Sequence, residues 1–127
     1  MNELTREWLD KAETDFDSAD LLLHAGEVPL SDTASFHCQQ SAEKFLKAFL
    51  QEHQVVFERK HDLMPLLALC ISLDADFQSL KEDLQELDRY AVAVRYPGVS
   101  VKVEQAKSAF RAAKKVRGFV KKKMKIR

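Results

Sequence analysis

Four side chains able to donate hydrogen bonds, His37, Gln40, Lys44 and Lys47, recur three or four residues apart within the stretch Ser35 to Leu50. That spacing places them on one stripe of a helix. Two of the four are cations, so the stripe has the chemistry to meet an anion or a partner protein. A solvated helix face with ordinary surface lysines has the same pattern, and the residues alone leave both readings open. A second group lies further along, where Arg95 runs directly into Tyr96-Pro97-Gly98. An arginine at a helix C-terminus is favoured by the helix dipole and needs no ligand to explain it. An arginine held at a rigid turn beside an aromatic ring can also fork onto phosphate or stack on a base. Tyr96 suits either a stacking surface or a plug for the end of a helical bundle. Asp88 lies two helical turns before Arg95, on the same helical face.

Other chemistry finds little support. The sequence contains no GxGxxG, no GxxxxGK[ST], no HExxH and no serine nucleophile elbow. His24, His37, His53 and His61 show no ligand spacing, and the two cysteines make no zinc motif, so neither a metal nor a cofactor is expected. Carboxylate pairs such as Glu82 and Glu86 fit an exposed helix face better than an acid and base pair.

The elements that must position these residues read as helices. A first helix is expected from about Leu4 to Ala25, capped by Asn2 or Thr5, with Leu9, Ala12, Phe16, Ala19 and Leu23 on one face. Gly26 and Pro29 end it, and the short connection sends the next helix back antiparallel. Ser31, Asp32 and Thr33 are expected to cap the second helix, which reaches His53, with Cys38, Ala42, Phe45, Leu46 and Phe49 turned inward. Gln54 to Lys60 reads as a loop. Asp62 is the natural N-cap of a third, shorter helix, with Pro65 in its first turn, where a missing N–H costs nothing. A fourth helix is expected from Asp74 or Asp76 to Arg95-Tyr96, on the regular series Phe77, Leu80, Leu84, Leu87, Ala91 and Val94. Pro97 and Gly98 then enforce a turn. A fifth runs from Val101 or Lys102 to about Lys122, and the basic tail Lys121 to Arg127 is expected to fray. No alternating strand pattern competes. The expected fold is all-α, a single domain over residues 1–127 forming an antiparallel up-down bundle of four to five helices.

The totals agree with that. The chain has only three glycines and three prolines, too few turn residues for a β-rich fold. Cys38 and Cys70 both fall in apolar helical patterns and read as reduced core thiols, which fits a cytoplasmic protein. No apolar run is long enough to span a bilayer and no leader pattern opens the chain, so neither membrane insertion nor export is expected. The net charge is zero, but it is divided unevenly. All 20 acidic residues lie at or before Glu104, and ten of the 20 Lys and Arg lie after it. One explanation is a basic last helix lying against an acidic body. The other is a phosphate-binding arm.

Taken in order, several of these pieces resemble a known family. They are Trp8 with Ala12, the run Phe36-His37-Cys38-Gln39-Gln40-Ser41-Ala42-Glu43-Lys44-Phe45-Leu46-Lys47-Ala48, then His61-Asp62-Leu63, Arg95-Tyr96-Pro97-Gly98, and Ala106 with Ala109. The ordered set resembles the HEPN (higher eukaryotes and prokaryotes nucleotide-binding) domain family over nearly the whole chain, within it the Arg-Tyr-Pro subgroup. The resemblance implies a helical bundle that forms a homodimer and handles nucleotide or RNA. It also implies a minimal nucleotidyltransferase as partner, the two proteins behaving as a toxin–antitoxin pair. Active relatives are metal-independent ribonucleases with an Arg and a His separated by four to six residues, where Arg steadies the phosphate charge and His moves the proton. Here the sequence departs from the family. Tyr96 to Lys102 contains no His, and the window after Arg89 contains none either. Tyr96 and Ser100 have ordinary acidities far from neutrality. The expectation is therefore a binding module, with Arg95, Tyr96, Gln40, Lys44 and His37 around nucleotide, RNA phosphate or the partner. The alternative is a ribonuclease in which Arg95 acts with a non-standard proton-transfer residue such as His37. A third possibility is a structural dimer without a ligand.

Overall fold

The computed structural model describes residues 1–25, 30–91 and 96–126. Helix α1 spans Glu3–His24 and begins because Asn2, in extended conformation, turns its Oδ1 onto the Thr5 N–H at 2.8 Å and the Thr5 hydroxyl at 2.9 Å. Leu9, Ala12, Phe16, Ala19 and Leu23 are buried, as the period requires. Leu30 then donates its N–H back to the Leu22 carbonyl at 3.0 Å, so α2 (Ser31–Glu52) returns beside α1. The expected bend at Gly26 and Pro29 lies outside the described residues.

Helix α2 is the centre of the molecule. Fifteen of its 22 residues are buried, and it packs on α1 and, through its other sides, on the three helices that follow. Small residues line its seam with α1: Cys38 and Ala42 on one side, Ala12 and Ala19 on the other, with the Ser41 hydroxyl bonded to the Ala12 carbonyl at 3.0 Å. None of the three polar residues at its start caps it. Asp32 instead accepts the Val101 N–H at 2.6 Å and ties the start of α2 to the approach to the last helix.

Helix α3 spans Leu63–Leu73. Its expected cap, Asp62, makes no capping bond. The Leu63 N–H is satisfied by Asp88 Oδ1 at 2.9 Å, from 25 residues away. The single fourth helix expected from residue 74 to 95 is instead two elements. A 3₁₀ segment, Ala75–Leu80, starts from Asp74, whose side chain accepts the Asp76 N–H, and continues into α4, Lys81–Asp88. Residues three apart eclipse in a 3₁₀ helix, so Phe77 and Leu80 still point inward together with Leu84 and Leu87 of α4. The apolar series therefore runs unbroken through the change of helix type. Arg89 and Tyr90 form a turn, and the remainder of the expected fourth helix, with Val94 and Arg95, lies outside the described residues.

The last helix, α5 (Val103–Lys123), fits against α2, α4 and α1 through Ala106, Ala109, Ala113, Val116 and Val120. Two aromatic contacts lock it: Phe110 stacked on Phe16 at 5.0 Å, and Phe119 edge-on to Phe77 at 4.9 Å. The tail expected to fray from Lys121 is helical to Lys123 and ends in a closed turn. Lys125, at φ 58°, lets Ile126 N–H reach the Lys121 carbonyl at 2.9 Å and its own N–H reach the Lys122 carbonyl at 3.1 Å. Among the described residues the architecture is five α-helices with no strand. Both cysteines are free, and burial, joined at Cys38 by the Glu86 carboxylate, raises each thiol to about 12.

The same closed turn ends α2, where Gln54 at φ 56° lets Val55 N–H reach the Leu50 carbonyl at 2.9 Å. Glutamine bears a Cβ penalty in this conformation that glycine does not. Gln54→Gly is expected to stabilise the protein by about 0.5–1 kcal/mol. The measurement is the urea midpoint at unchanged m-value, and an unchanged or lower midpoint contradicts it.

Candidate functional site

The donor stripe of α2 is turned largely inward: Gln40 and Lys47 are buried, and His37 and Lys44 are half-buried. Asp15 of α1 is buried, and its two carboxylate oxygens are taken by His37 Nδ1 at 2.8 Å and Lys44 Nζ at 2.5 Å. An imidazole and an ammonium two turns apart thus converge on one carboxylate across the seam. Gln40 lies between them in sequence but turns away. Its amide donates to Gln39 Oε1 at 2.7 Å, and the Gln39 amide donates to the His61 carbonyl at 2.8 Å. This relay ties α2 to the residues just before α3.

Lys47, the fourth member of the stripe, is only 5% exposed and ion-pairs with Glu43, 2% exposed, at 2.9 Å. The other Glu43 oxygen meets His61 Nδ1 at 3.0 Å. The ammonium also lies 5.2 Å from the centre of the Trp8 ring and 5.6 Å from that of Phe57, two rings packed edge to face. Ring faces attract a desolvated cation, so the burial of Lys47 is compensated from two directions.

Tyr96 is placed quite differently. Val99 donates its N–H to the Tyr96 carbonyl at 3.3 Å, and Gly98 between them has φ 87°. Proline followed by glycine at positive φ is the residue order of a type II turn. The side chain of Tyr96 is 61% exposed and makes no hydrogen bond with any described residue. It does not plug the bundle. Arg95 lies outside the described residues. Asp88, read from sequence as a neighbour of Arg95, is used as the cap of α3. Burial pushes its carboxyl up, the Leu63 N–H pulls it back, and the Asp62 and Glu43 carboxylates push it up again.

Of the sequence-predicted residues, then, the fold brings His37 and Lys44 together on Asp15 and sets Gln40 in a separate amide relay. Tyr96 is displayed alone on a turn. A groove of about 600 Å³ lies elsewhere, beside α3, lined by Val56, Phe57, Pro65, Leu66 and Leu69 among others, and none of these predicted residues borders it. Sequence reasoning missed Asp15, Glu43 and His61. The first had a signal, an acid set between Ala12, Phe16 and Ala19 on a buried face, and the second stands four residues before Lys47. Among the described residues no cluster of His, Cys, Asp or Glu could hold a metal ion. No described helix is long and apolar enough to cross a membrane.

The family model of the HEPN domain matches residues 5–123. The chain belongs to the HEPN domain family. No curated protein matches it. Among solved structures, TT1696 from Thermus thermophilus is similar, with a TM-score of 0.79 and 29% identity over 97% of this chain and 99% of that one. ST0689, an archaeal HEPN homologue, shares the fold, with a TM-score of 0.71 and 24% identity over 97% of this chain and 98% of its own. The all-helical bundle described above is therefore the HEPN fold.

Two expectations follow for this HEPN chain. Glu43→Ala leaves the Lys47 charge buried without its carboxylate and should cost about 3 kcal/mol of unfolding free energy, while Glu43→Leu with Lys47→Met should recover most of it. Denaturant unfolding of the three proteins checks this, and a single-variant loss below about 1 kcal/mol contradicts the buried pair. Asp88 titrates above its ordinary value in the folded chain, so the folded state holds that proton more tightly than the unfolded state does. Its contribution to stability is then fully present at low pH and is lost as pH rises through the folded value. Asp88→Asn keeps the acceptor for Leu63 and cannot ionise. Its stability relative to wild type should increase as pH rises above the ordinary carboxylate value of about 3.9, and a flat difference contradicts the assignment.

Proposed function

We propose that this HEPN chain is a nucleotide or RNA-phosphate binding module whose contact residues are Arg95 and Tyr96, and that it does not itself cleave RNA. The observation that carries the reading is the Tyr96-Pro97-Gly98 turn, which leaves an aromatic ring exposed and unbonded next in sequence to an arginine. A ring of this kind supplies a stacking face, and a guanidinium supplies a fork for phosphate oxygens. The missing element is a His in the segment Tyr96 to Lys102, where ribonuclease members of the family place their proton carrier. In this reading the protein acts in the cytoplasm as a homodimer and pairs with a minimal nucleotidyltransferase in a toxin–antitoxin system. His37, Gln40 and Lys44 support the bundle itself through the Asp15 and Gln39 contacts.

One observation favours a second reading. His37 keeps 28% of its side-chain surface and is oriented by Asp15 at 2.8 Å. A carboxylate-held imidazole is the usual form of a proton-transfer group, so His37 is the residue through which a metal-independent ribonuclease activity would run.

One set of experiments separates the readings. AMP, ADP and a short uridine oligomer are titrated against wild type, Arg95→Ala and Tyr96→Ala. A co-expressed nucleotidyltransferase is pulled down with each, and RNA is incubated with wild type, Arg95→Ala and His37→Ala in EDTA. The binding reading expects at least a tenfold loss of affinity in the Arg95 and Tyr96 variants and no cleavage by any protein. Equal affinity in all three overturns it. Cleavage in EDTA that disappears in both Arg95→Ala and His37→Ala establishes the second reading instead. Light scattering that finds one 14.6 kDa species at high concentration rules out the dimer.

A further inference from the structure

Nine of the ten basic residues after Glu104 are among the described residues, and they divide into two sets once the ion pairs are drawn. Arg117 forks onto Glu13 at 2.8 and 3.0 Å, and Lys121 approaches the same carboxylate at 3.7 Å. Lys115 pairs with Asp83 at 2.9 Å, and Lys123 with Asp74 and Asp76 at 2.8 and 2.5 Å. These cations hold α5 to α1, the 3₁₀ segment and α4. Four others, Lys107, Arg111, Lys114 and Lys122, are exposed and form no ion pair with any described residue. Their positions step by four, three and eight, so they share one outward stripe about 80° wide and about 22 Å long. Lys125 stands just past its end, exposed as well.

The stripe has one gap, at Gly118, and the gap lacks a packing reason. Gly118 is exposed, and a Cβ built there meets nothing within 4 Å. Glycine inside a helix weakens it, and no neighbour in this chain forces it. What a glycine does at that point is keep the helix surface low in the middle of a row of cations, where a backbone from outside can come close. At the far end Lys122 and Lys125 border a depression of about 670 Å³ with Phe119 and Ser79, so the row leads to a ring as well as to charge.

We infer that this outward stripe of α5 is a track for the sugar–phosphate backbone of single-stranded RNA, running from Lys107 past Gly118 to Lys122 and Lys125. A length of about 22 Å matches about six nucleotides at the 3.4 Å spacing of a stacked strand. A lipid surface fits less well. The apolar face of α5 is already spent on the core through Ala109, Ala113, Val116 and Val120, so nothing remains to insert between acyl chains. The inference extends the Arg95 and Tyr96 reading from one phosphate to a run of them, and it stands without those two residues.

The test uses the full chain, a 20-nucleotide oligouridine, AMP, and vesicles containing phosphatidylserine. The variants are Lys107→Gln/Arg111→Gln/Lys114→Gln, Gly118→Glu, Gly118→Ala and the control Lys11→Gln, an exposed lysine on α1. Gly118→Glu keeps the fold, because its Cβ enters open space and its carboxylate pairs along the helix with Lys114 and Lys122. Oligouridine affinity should fall about tenfold at 0.1 M salt in the triple variant and in Gly118→Glu. The slope of log K against log salt should flatten by about 2 in the triple variant. Lys11→Gln should bind as wild type, and Gly118→Ala, which raises the helix surface by one methyl, should bind more weakly than wild type but more tightly than Gly118→Glu. AMP binding should be unchanged in the stripe variants, so loss confined to Arg95→Ala tests the other reading and not this one. Oligouridine affinity equal in all five proteins overturns the track. So does vesicle binding that is lost in the stripe variants while oligouridine fails to bind.

Discussion

Placing α2 at the centre of the bundle buries more than its apolar stripe. Fifteen of 22 residues are inaccessible, among them Gln39, Gln40, Ser41, Glu43 and Lys47. Water cannot satisfy these groups, and an unpaired buried charge is far more costly than an unpaired buried methyl is helpful. Each must therefore find its partner inside the protein, and the partners dictate where the other elements sit. Asp15 fixes the register of α1 against α2 through His37 and Lys44, and Ser41 repeats the tie at Ala12. Glu43 and Gln39 both reach His61 and so locate the start of α3, which Asp88 of α4 then caps. Separate polar contacts thus link four helices, and the apolar packing fills the space between them.

This arrangement also decides which surfaces are left to meet a ligand. Donors that the sequence displays as a row are consumed internally, so an anion cannot be held by Gln40, Lys44 and Lys47 without breaking contacts the bundle uses. Two sets of groups without internal partners among the described residues have the chemistry to meet a nucleotide or its phosphate, the ring of Tyr96 and the outer cations of α5. Both lie where the backbone is independently restrained. The turn holds Tyr96 through Gly98 and is tied to α2 by Asp32, while α5 is clamped by Arg117 on Glu13 and by Phe110 on Phe16. Exposed groups on restrained backbone lose little entropy on binding.

Local signals carried most of the fold. Asn2 capped where expected, Pro65 fell in a first turn, and Pro97-Gly98 made the turn that their backbone preferences demand. These features depend on residues within a few positions of one another. The misreadings depend on distance. Asp62 has the sequence position of a cap for α3, but Asp88 arrives from another helix and accepts the Leu63 N–H. Asp32, in the first turn of α2, instead holds Val101, 69 residues on. The 3₁₀ segment was hidden because three-residue spacing serves both helix types at Phe77 and Leu80. The candidate site was legible only in part for the same reason. Residue types and spacing identified the α2 stripe correctly, yet a stripe does not reveal whether the facing surface is water, a ligand or a carboxylate such as Asp15 from the preceding helix.

The charge asymmetry shows how two explanations of one pattern divide the residues between them. A basic helix on an acidic body and a phosphate-binding arm were alternatives for ten charges considered together. Helical geometry separates them. Residues 115, 117, 121 and 123 sit at the flanks of α5 where Glu13, Asp74, Asp76 and Asp83 can reach, whereas 107, 111, 114 and 122 point the opposite way from the core. The flank pairs are partly exposed, so each is worth little to stability. Their number and direction nevertheless leave the protein with a neutralised inner side and an unneutralised outer one. Glu13, Asp74, Asp76 and Asp83 meet only the flanks of α5, so the charge of the outer cations is not paired by a carboxylate among the described residues. A net charge of zero is thus compatible with a strongly electropositive helix face, because balance over the chain says nothing about balance along a surface.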